Sequence, residues 1–249
     1  MPLEDPLAGS SWSAPATVQG FVQSSPNARL LDYAGVELRR VPDGRAIDIG
    51  CGAARNTIPL AQEGWRVLGT DLSRPMLDAA AGRVAAERLA DRIELQLAPM
   101  DQLPAADGAF DLVVAHGIWN LARSGAEFTR AIAEAARVAA PGAGLFVFTF
   151  SRHTLPLDAR PVPGETIVFT QFSGQPQCFV TRDQLIDLLG EAGFALDGHF
   201  PLTEYNRRDP SSVHCGGAPV IFEAVFRFAG HAALRSPVHA TKAGSSGDV

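Results

Sequence analysis

The sequence predicts an α/β protein: a seven-stranded, mostly parallel sheet with helices on both faces and an antiparallel C-terminal strand pair. Three observations predict it. From about residue 45 to 150, short apolar runs alternate with helix-period segments, the β-α-β order that right-handed crossovers fold into a parallel sheet. The run Phe110–His116 (FDLVVAH) is almost continuously apolar, as a strand buried on both faces must be. Two further strand-like runs, Ala195–Tyr205 and Val220–Phe228, follow with no helix between them and so pair antiparallel on one edge.

The elements follow in order. Residues 1 to about 20 are rich in Pro, Ser and Ala, show no sustained period, and read as a flexible leader; the tail from about Gly230 reads the same way. Asn27–Arg40 reads as a helix with Leu30, Leu31, Ala34 and Leu38 on one apolar stripe. Arg45–Ile49 is a strand ending in a Gly-rich turn, and Arg55–Glu63 is the helix after it. Trp65–Asp71 is the second strand. Ser73 caps a helix to about Ala90, with Pro75 in the first turn, where its missing N–H costs nothing. Ile93–Leu97 alternates as the third strand. Ser124 and Glu127 form a capping box for a helix to about Val138; Pro141-Gly142 breaks it, and Leu145–Phe150 is the fifth strand. Glu165–Phe172 is extended. Thr181 and Gln184 form a second capping box, for a helix ending near Gly190. The expected organisation is therefore 1–40 as leader and lid helix, 41–229 as the central domain, and 230–249 as a flexible tail.

Composition removes several function classes. With 21 Lys and Arg against 27 Asp and Glu the net charge is −6, and no basic cluster offers itself to phosphates, so no nucleic-acid partner is expected. No run reaches the ~18 apolar residues of a membrane span, and the acidic start MPLEDPLAGSSWS lacks the apolar core of a secretory signal. Cys51, Cys178 and Cys215 form no CxxC and read as reduced thiols of a cytoplasmic protein. His214-Cys215 has no companions at ligand spacing, so no metal is expected. The oligomeric state is expected to be monomer or homodimer.

The most informative stretch is Ala46-Ile-Asp-Ile-Gly-Cys-Gly-Ala-Ala-Arg-Asn-Thr57. Gly50 and Gly52 follow a strand and precede a helix, so a ligand can approach the backbone where any Cβ would collide. Asp48 places a carboxylate where a dinucleotide fold has an apolar residue, which suits a ligand with an ammonium or cationic group. The fingerprint G-x-G-x-x-G needs Gly at position 55, and this chain has Arg55. Asp71 ends the second strand, where an acid holds a ribose diol.

Asp48-x-Gly50-x-Gly52, Asp71, Met100-Asp101 and the Phe110–His116 strand, in this order, resemble the successive motifs of class I S-adenosylmethionine (SAM)-dependent methyltransferases, and the closing strands fit that family's Rossmann-like sheet. The segment GCGAARNTIPLA is similar to the tellurite-resistance-type, small-molecule branch. One departure is that the family's third glycine is Ala54 here.

The resemblance implies roles. Gly50, Cys51 and Gly52 would lie under the methionyl and ribose portion of SAM, with Asp48 close to its amino group. Asp71 would take both ribose hydroxyls, Leu72 would pack on the adenine, and Asp101 would take the adenine amino group beside the Met100 N–H. Arg55 would contact the SAM carboxylate or the substrate; the alternative is a solvated helix-start residue. His116 would face the transfer site, as a base or as a wall. Tyr33, Trp119 and His153 would line the acceptor pocket. Apart from the resemblance, residues about 12 to 40 read as a lid, with Trp12, Phe21 and Tyr33 closing over the acceptor; the alternative is that the helix packs on the sheet's flank as ordinary core. The implied activity is in-line transfer of a methyl group from SAM, leaving S-adenosylhomocysteine, to a small-molecule acceptor. Two alternatives stay open: a nicotinamide-dependent oxidoreductase, and a non-catalytic SAM-binding regulator.

Overall fold

The computed structural model describes residues 5–207 and 218–230. The expected tail beyond Gly230 and the His214-Cys215 pair lie outside the described residues. A 3₁₀ turn at Ser11–Ser13 leads into α1 (Pro15–Gln23) and α2 (Ala28–Arg40). The alternating part follows: β1 (Arg45–Ile49), α3 (Thr57–Glu63), β2 (Arg66–Asp71), α4 (Arg74–Ala86), β3 (Ile93–Leu97), β4 (Phe110–His116), α5 (Gly125–Val138) and β5 (Ala139–Phe150). A ribbon of β6 (Val168–Phe169) and β7 (Gln177–Cys178) stands apart from the main sheet, and α6 (Arg182–Glu191), β8 (Phe194–Leu196), β9 (Thr203–Tyr205) and β10 (Ile221–Phe228) close the chain.

The main sheet runs β3-β2-β1-β4-β5-β10-β8, with β9 also on β10. The first five strands are parallel and the β10 pairings antiparallel. Eight strands form where seven were expected, because Ala195–Tyr205 does not stay one strand. After β8 the chain turns away at Asp197-Gly198, and the Asp197 carboxylate accepts from Arg227 at 2.8 Å. It rejoins β10 at Thr203, opposite Glu223.

Two apolar layers sandwich the sheet. On one face α5 and α6 bring Phe128, Ile132, Leu185 and Leu189 against Ile47, Val113 and Phe226. On the other, α2, α3 and α4 bring Leu30, Ile58 and Ala80 against Ala46, Leu112 and Val114. The caps at Ser73 and Thr181 form as expected, the latter with both bonds of a capping box. Ser124 caps α5, yet Glu127 reaches back to the Arg123 N–H. Pro141-Gly142 does not end an element. It lies inside β5, where the pairing register shifts between Phe110 and Leu112 of β4 and Gly142 sits at φ 80°.

Two expectations for the N-terminus are corrected. Residues 5–20 are packed rather than flexible: the Asp5 carboxylate accepts from the Arg74 N–H at 3.1 Å, and the Ser13 and Ser73 hydroxyls lie 3.1 Å apart. And α2 is part of the sheet's flank, not of a lid. Tyr33 is fully buried there, its ring edge-on to Phe200, over Gly144; a Cβ on that glycine would lie 2.0 Å from the Tyr33 hydroxyl oxygen.

Candidate active site

The carboxyl ends of β1, β2 and β4 meet at one rim of the sheet. The turn after β1 places Gly50 at φ 70° and Gly52 at φ 54°, conformations that cost an L-residue about 1–2 kcal/mol. A Cβ on Gly50 would lie 2.6 Å from Ile118, and one on Gly52 would lie 3.1 Å from the Phe21 ring. Ala54, the departure from the family pattern, also sits at φ 60° and carries the strain a glycine would avoid. The Cys51 thiol is buried beside Gly69, and burial raises its pKa well above the usual thiol value, so it is no nucleophile.

Two carboxylates flank the turn. Asp71, at the tip of β2, accepts from the Gly52 N–H at 2.9 Å and the Ser73 N–H at 2.8 Å. Burial raises its pKa against the pull of these donors. Asp48 lies beneath the turn, 2% exposed, and accepts from the Thr57 hydroxyl at 2.6 Å. Burial pushes its pKa up to about 6, opposed by Thr57 and Arg55.

The tip of β4 holds a polar cluster. The Arg55 guanidinium lies 3.0 Å from Nδ1 of His116, and the Asn27 amide nitrogen lies 3.1 Å from its Nε2. Phe148 stacks on the imidazole at 4.3 Å between centroids. Burial, then the Arg55 charge, pushes the His116 pKa down to about 3, so the ring is neutral. The same Asn27 nitrogen donates to the Glu223 carboxylate from β10 in a short hydrogen bond, while Asn27 Oδ1 caps α2 by accepting from the Leu30 N–H. Arg29 approaches Glu223 at 3.8 Å.

The remaining expected residues are dispersed. Asp101 is ion-paired with Arg130 of α5 at 3.0 Å. Met100 is buried in the α5-side core, and Leu72 lies half-buried between Asp71 and Ser73. Trp119 is fully buried and edge-on to Phe128, because a 3₁₀ turn at Trp119–Leu121 rolls it under α5; it belongs to the core, not to an open pocket wall. His153, past β5, is 2.6 Å from Glu204. Trp12 and Phe21 meet edge-on at 6.1 Å, and the Phe21 ring faces Gly52 of the turn. Glu223 and Asn27 went unread in the sequence, although a lone glutamate inside the apolar run VIFEAVFRF was a usable signal.

Residues 46–142 match the family model described as a methyltransferase domain. This stretch is a methyltransferase domain, and the chain around it is similar to SAM-dependent methyltransferases. It is 27% identical, over 69% of its length and 79% of the relative's, to a ubiquinone/menaquinone biosynthesis C-methyltransferase of Geotalea daltonii. It is 34% identical to a demethylmenaquinone methyltransferase of Lactiplantibacillus plantarum, over 51% of this chain and 53% of the relative. Among solved structures, a Burkholderia thailandensis 1,6-didemethyltoxoflavin N1-methyltransferase with bound S-adenosylhomocysteine superposes with a TM-score of 0.59 at 16% identity, covering 80% of this chain and 77% of that one. A SAM-dependent methyltransferase of Methanosarcina mazei gives 0.57 at 22% identity, over 74% and 92%. Both share the fold.

The rim fits SAM on its own chemistry. Asp71 has acceptor oxygens held by backbone N–H groups alone, which suits a diol that donates hydrogen bonds. The glycine turn is a cradle whose facing side chains, Phe21 and Ile118, are movable ends rather than backbone. Among the described residues, no group of three or more His, Cys, Asp or Glu stands ready for a metal ion, and no helix is long and apolar enough to cross a membrane.

Proposed function

We propose that this methyltransferase acts on a small molecule with an apolar body, held beyond the tips of β4 and β5 beside the SAM cradle. The observation that carries the reading is the polar cluster of His116, Arg55, Asn27 and Glu223, set against the Phe148 ring next to the glycine turn. Asp71 holds the ribose of SAM, with Gly50 and Gly52 beneath the chain that leads to the sulfonium. Asp48 and Arg55 serve the amino-acid end, and Asp101 turns from Arg130 to the adenine. SAM supplies a methyl group already activated by its sulfonium. The protein's share is positioning, at about 3–3.5 Å on the axis of the breaking bond, and exclusion of water. The relatives named for quinone biosynthesis support an aromatic acceptor; tellurite stays among the acceptors to be tried.

Residues 5–24 act as the lid of this site. The arm lies over the cradle through Phe21, hooked to α4 at Ser73 and Arg74, so it must swing for SAM to enter. A screen with labelled SAM over quinols, phenols, amines, thiols, carboxylic acids and tellurite tests the reaction. In calorimetry Asp71→Ala should weaken SAM ten- to a hundredfold, the ~1.5–3 kcal/mol of hydrogen bonds to a charged group; unchanged affinity removes the ribose role. Deleting residues 1–24 should leave the fold intact, speed SAM entry, raise the acceptor KM and lower kcat. Parent-like kinetics would reduce the arm to packing.

A further inference from the structure

The hydrogen bonds around His116 do not balance. Arg55 has no acceptor atom, so its contact at 3.0 Å requires Nδ1 to offer a lone pair. A neutral imidazole then carries its proton on Nε2. The group facing Nε2 at 3.1 Å is the Asn27 amide nitrogen, which is also a donor. Exchanging the amide's two ends does not repair this, because Asn27 Oδ1 caps the Leu30 N–H at 2.9 Å and the nitrogen donates to Glu223. One half-buried N–H is left facing a donor, with a buried carboxylate on the far side of the same amide. Glu223 is 6% exposed, in a strand whose neighbours are apolar, and its cationic neighbour Arg29 stays at 3.8 Å. Buried polar groups are rarely left mismatched, because a donor without an acceptor forfeits its bond to water and gains nothing in return.

An atom that both accepts and donates would satisfy the two groups at once. A hydroxyl in the position of the Asn27 nitrogen accepts from His116 Nε2–H and donates to Glu223. We infer that Glu223 is the proton acceptor of the methyl transfer, and that His116 is a hydrogen-bond donor to the same hydroxyl, which belongs to a phenol- or enol-type acceptor. The step balances. The O–H proton passes to the Glu223 carboxylate, and the released electron pair, on oxygen or on the ring carbon conjugated to it, forms the new bond to the methyl carbon. The carbon–sulfur bond breaks and its pair stays on sulfur, which becomes a neutral thioether. Asn27 gives up its place as residues 24–27, between the lid and α2, shift, at the cost of the cap on α2. The inference rests on the methyl-transfer reading above.

Two measurements test it. The first needs no acceptor: nitrogen NMR of the histidines in the protein alone should show His116 neutral at pH 7, protonated at Nε2 and bare at Nδ1. The opposite tautomer, or an imidazolium, overturns the donor role. The second uses the acceptor that the labelled-SAM screen delivers. Glu223→Gln should lower kcat by about a hundredfold or more, within the range of acid–base catalysis, with SAM affinity by calorimetry within about twofold of the parent. Glu223→Asp should recover part of the loss. His116→Gln, which keeps an N–H, should lose less than His116→Ala. A Glu223→Gln enzyme with near-parent kcat overturns the assignment while methyl transfer stands. A parent protein that neither binds SAM nor methylates any compound overturns the underlying reading, and this assignment with it. Should Glu223→Gln fail to fold, the His116 tautomer and the Glu223→Asp kinetics decide.

Discussion

The two ends of α2 carry buried polar clusters of opposite quality. At the C-terminal end, Glu37 is 2% exposed and accepts from Arg40 at 2.7 and 2.9 Å and from both terminal nitrogens of Arg227 at 2.6 and 2.7 Å. Arg227 reaches on to Asp197 at 2.8 Å and to the Gly142 carbonyl at 3.2 Å. Each arginine there meets a carboxylate, although the buried Tyr33 hydroxyl one turn back along α2 has no partner; against burial, Glu37 is drawn below the usual range by Arg227 and Arg40, and Asp197 by the His199 N–H and Arg227. At the N-terminal end, around Asn27, two donors confront one imidazole. The same helix thus has one end that is complete without a ligand and one end that is not. Local consistency is what folding demands, and its violation is concentrated where a fold has a further task.

Arg227→Ala would break the complete end and should have the largest effect. It leaves Asp197 without its arginine and Glu37 with Arg40 alone. Removing one partner of a buried ion pair costs about 3–5 kcal/mol, and the lower end applies because Arg227 itself is partly exposed. Urea unfolding should show the loss, with SAM affinity in the folded protein unchanged. A loss under about 1 kcal/mol would mean that the knot is surface decoration. The distinction between a structural and a functional end would then lose its basis.

The same contrast explains what the sequence revealed. Strands β1 to β4 and the caps at Ser73 and Thr181 were legible because period and capping are local properties. The cradle residues Gly50, Gly52 and Asp71, and Arg55 and His116 beside them, sit within one strand-turn-helix unit or at a strand tip, where position implies chemistry. The arm was not legible: its order comes from Ser13 and Asp5 hooking onto Ser73 and Arg74, 60 and 69 residues away along the chain. Asn27 and Glu223 are separated by 196 residues and meet only because β10 enters the sheet beside β5. Tyr33 and Trp119 read as pocket aromatics because they adjoin functional segments, yet their rings supply core volume.

Asp48→Asn sharpens the comparison from beneath the incomplete end. The Asp48 pKa is raised from its ordinary 3.8 to about 6, so the folded state holds the proton more tightly than the unfolded one. Stability from this group is full below pH 4 and is lost as pH rises through 6. An asparagine accepts from Thr57 without bearing that charge. It should stabilise the protein without SAM by about 1–3 kcal/mol at pH 8, and the gain should vanish near pH 4. SAM binding should weaken in the same variant, because Asp48 is proposed to serve the amino group. If stability and affinity fall together at pH 8, the carboxylate belongs to the scaffold.

His116→Gln should have the smallest effect on stability near neutrality, and that smallness is its content. A histidine at the complete end would be expensive to remove, whereas at the incomplete end the ring makes one sound hydrogen bond and faces one misplaced donor. At pH 8 the histidine is neutral in both folded and unfolded chains. The substitution should then change stability by less than about 1 kcal/mol, as expected when a lost hydrogen bond is offset by a relieved mismatch. Acid separates the two proteins. The His116 pKa is lowered from 6.5 to about 3 in the fold, so below pH 6.5 the unfolded parent binds a proton that the folded parent refuses. Parent stability therefore falls relative to the variant by about 1.4 kcal/mol for each pH unit below 6.5, levelling off near pH 3. Unfolding curves for both proteins at pH 8, 6 and 5 measure this difference directly. Parallel losses at all three values would mean that the imidazole is charged or exposed in the fold; a large loss at pH 8 would place His116 among the residues that hold α2 to the sheet.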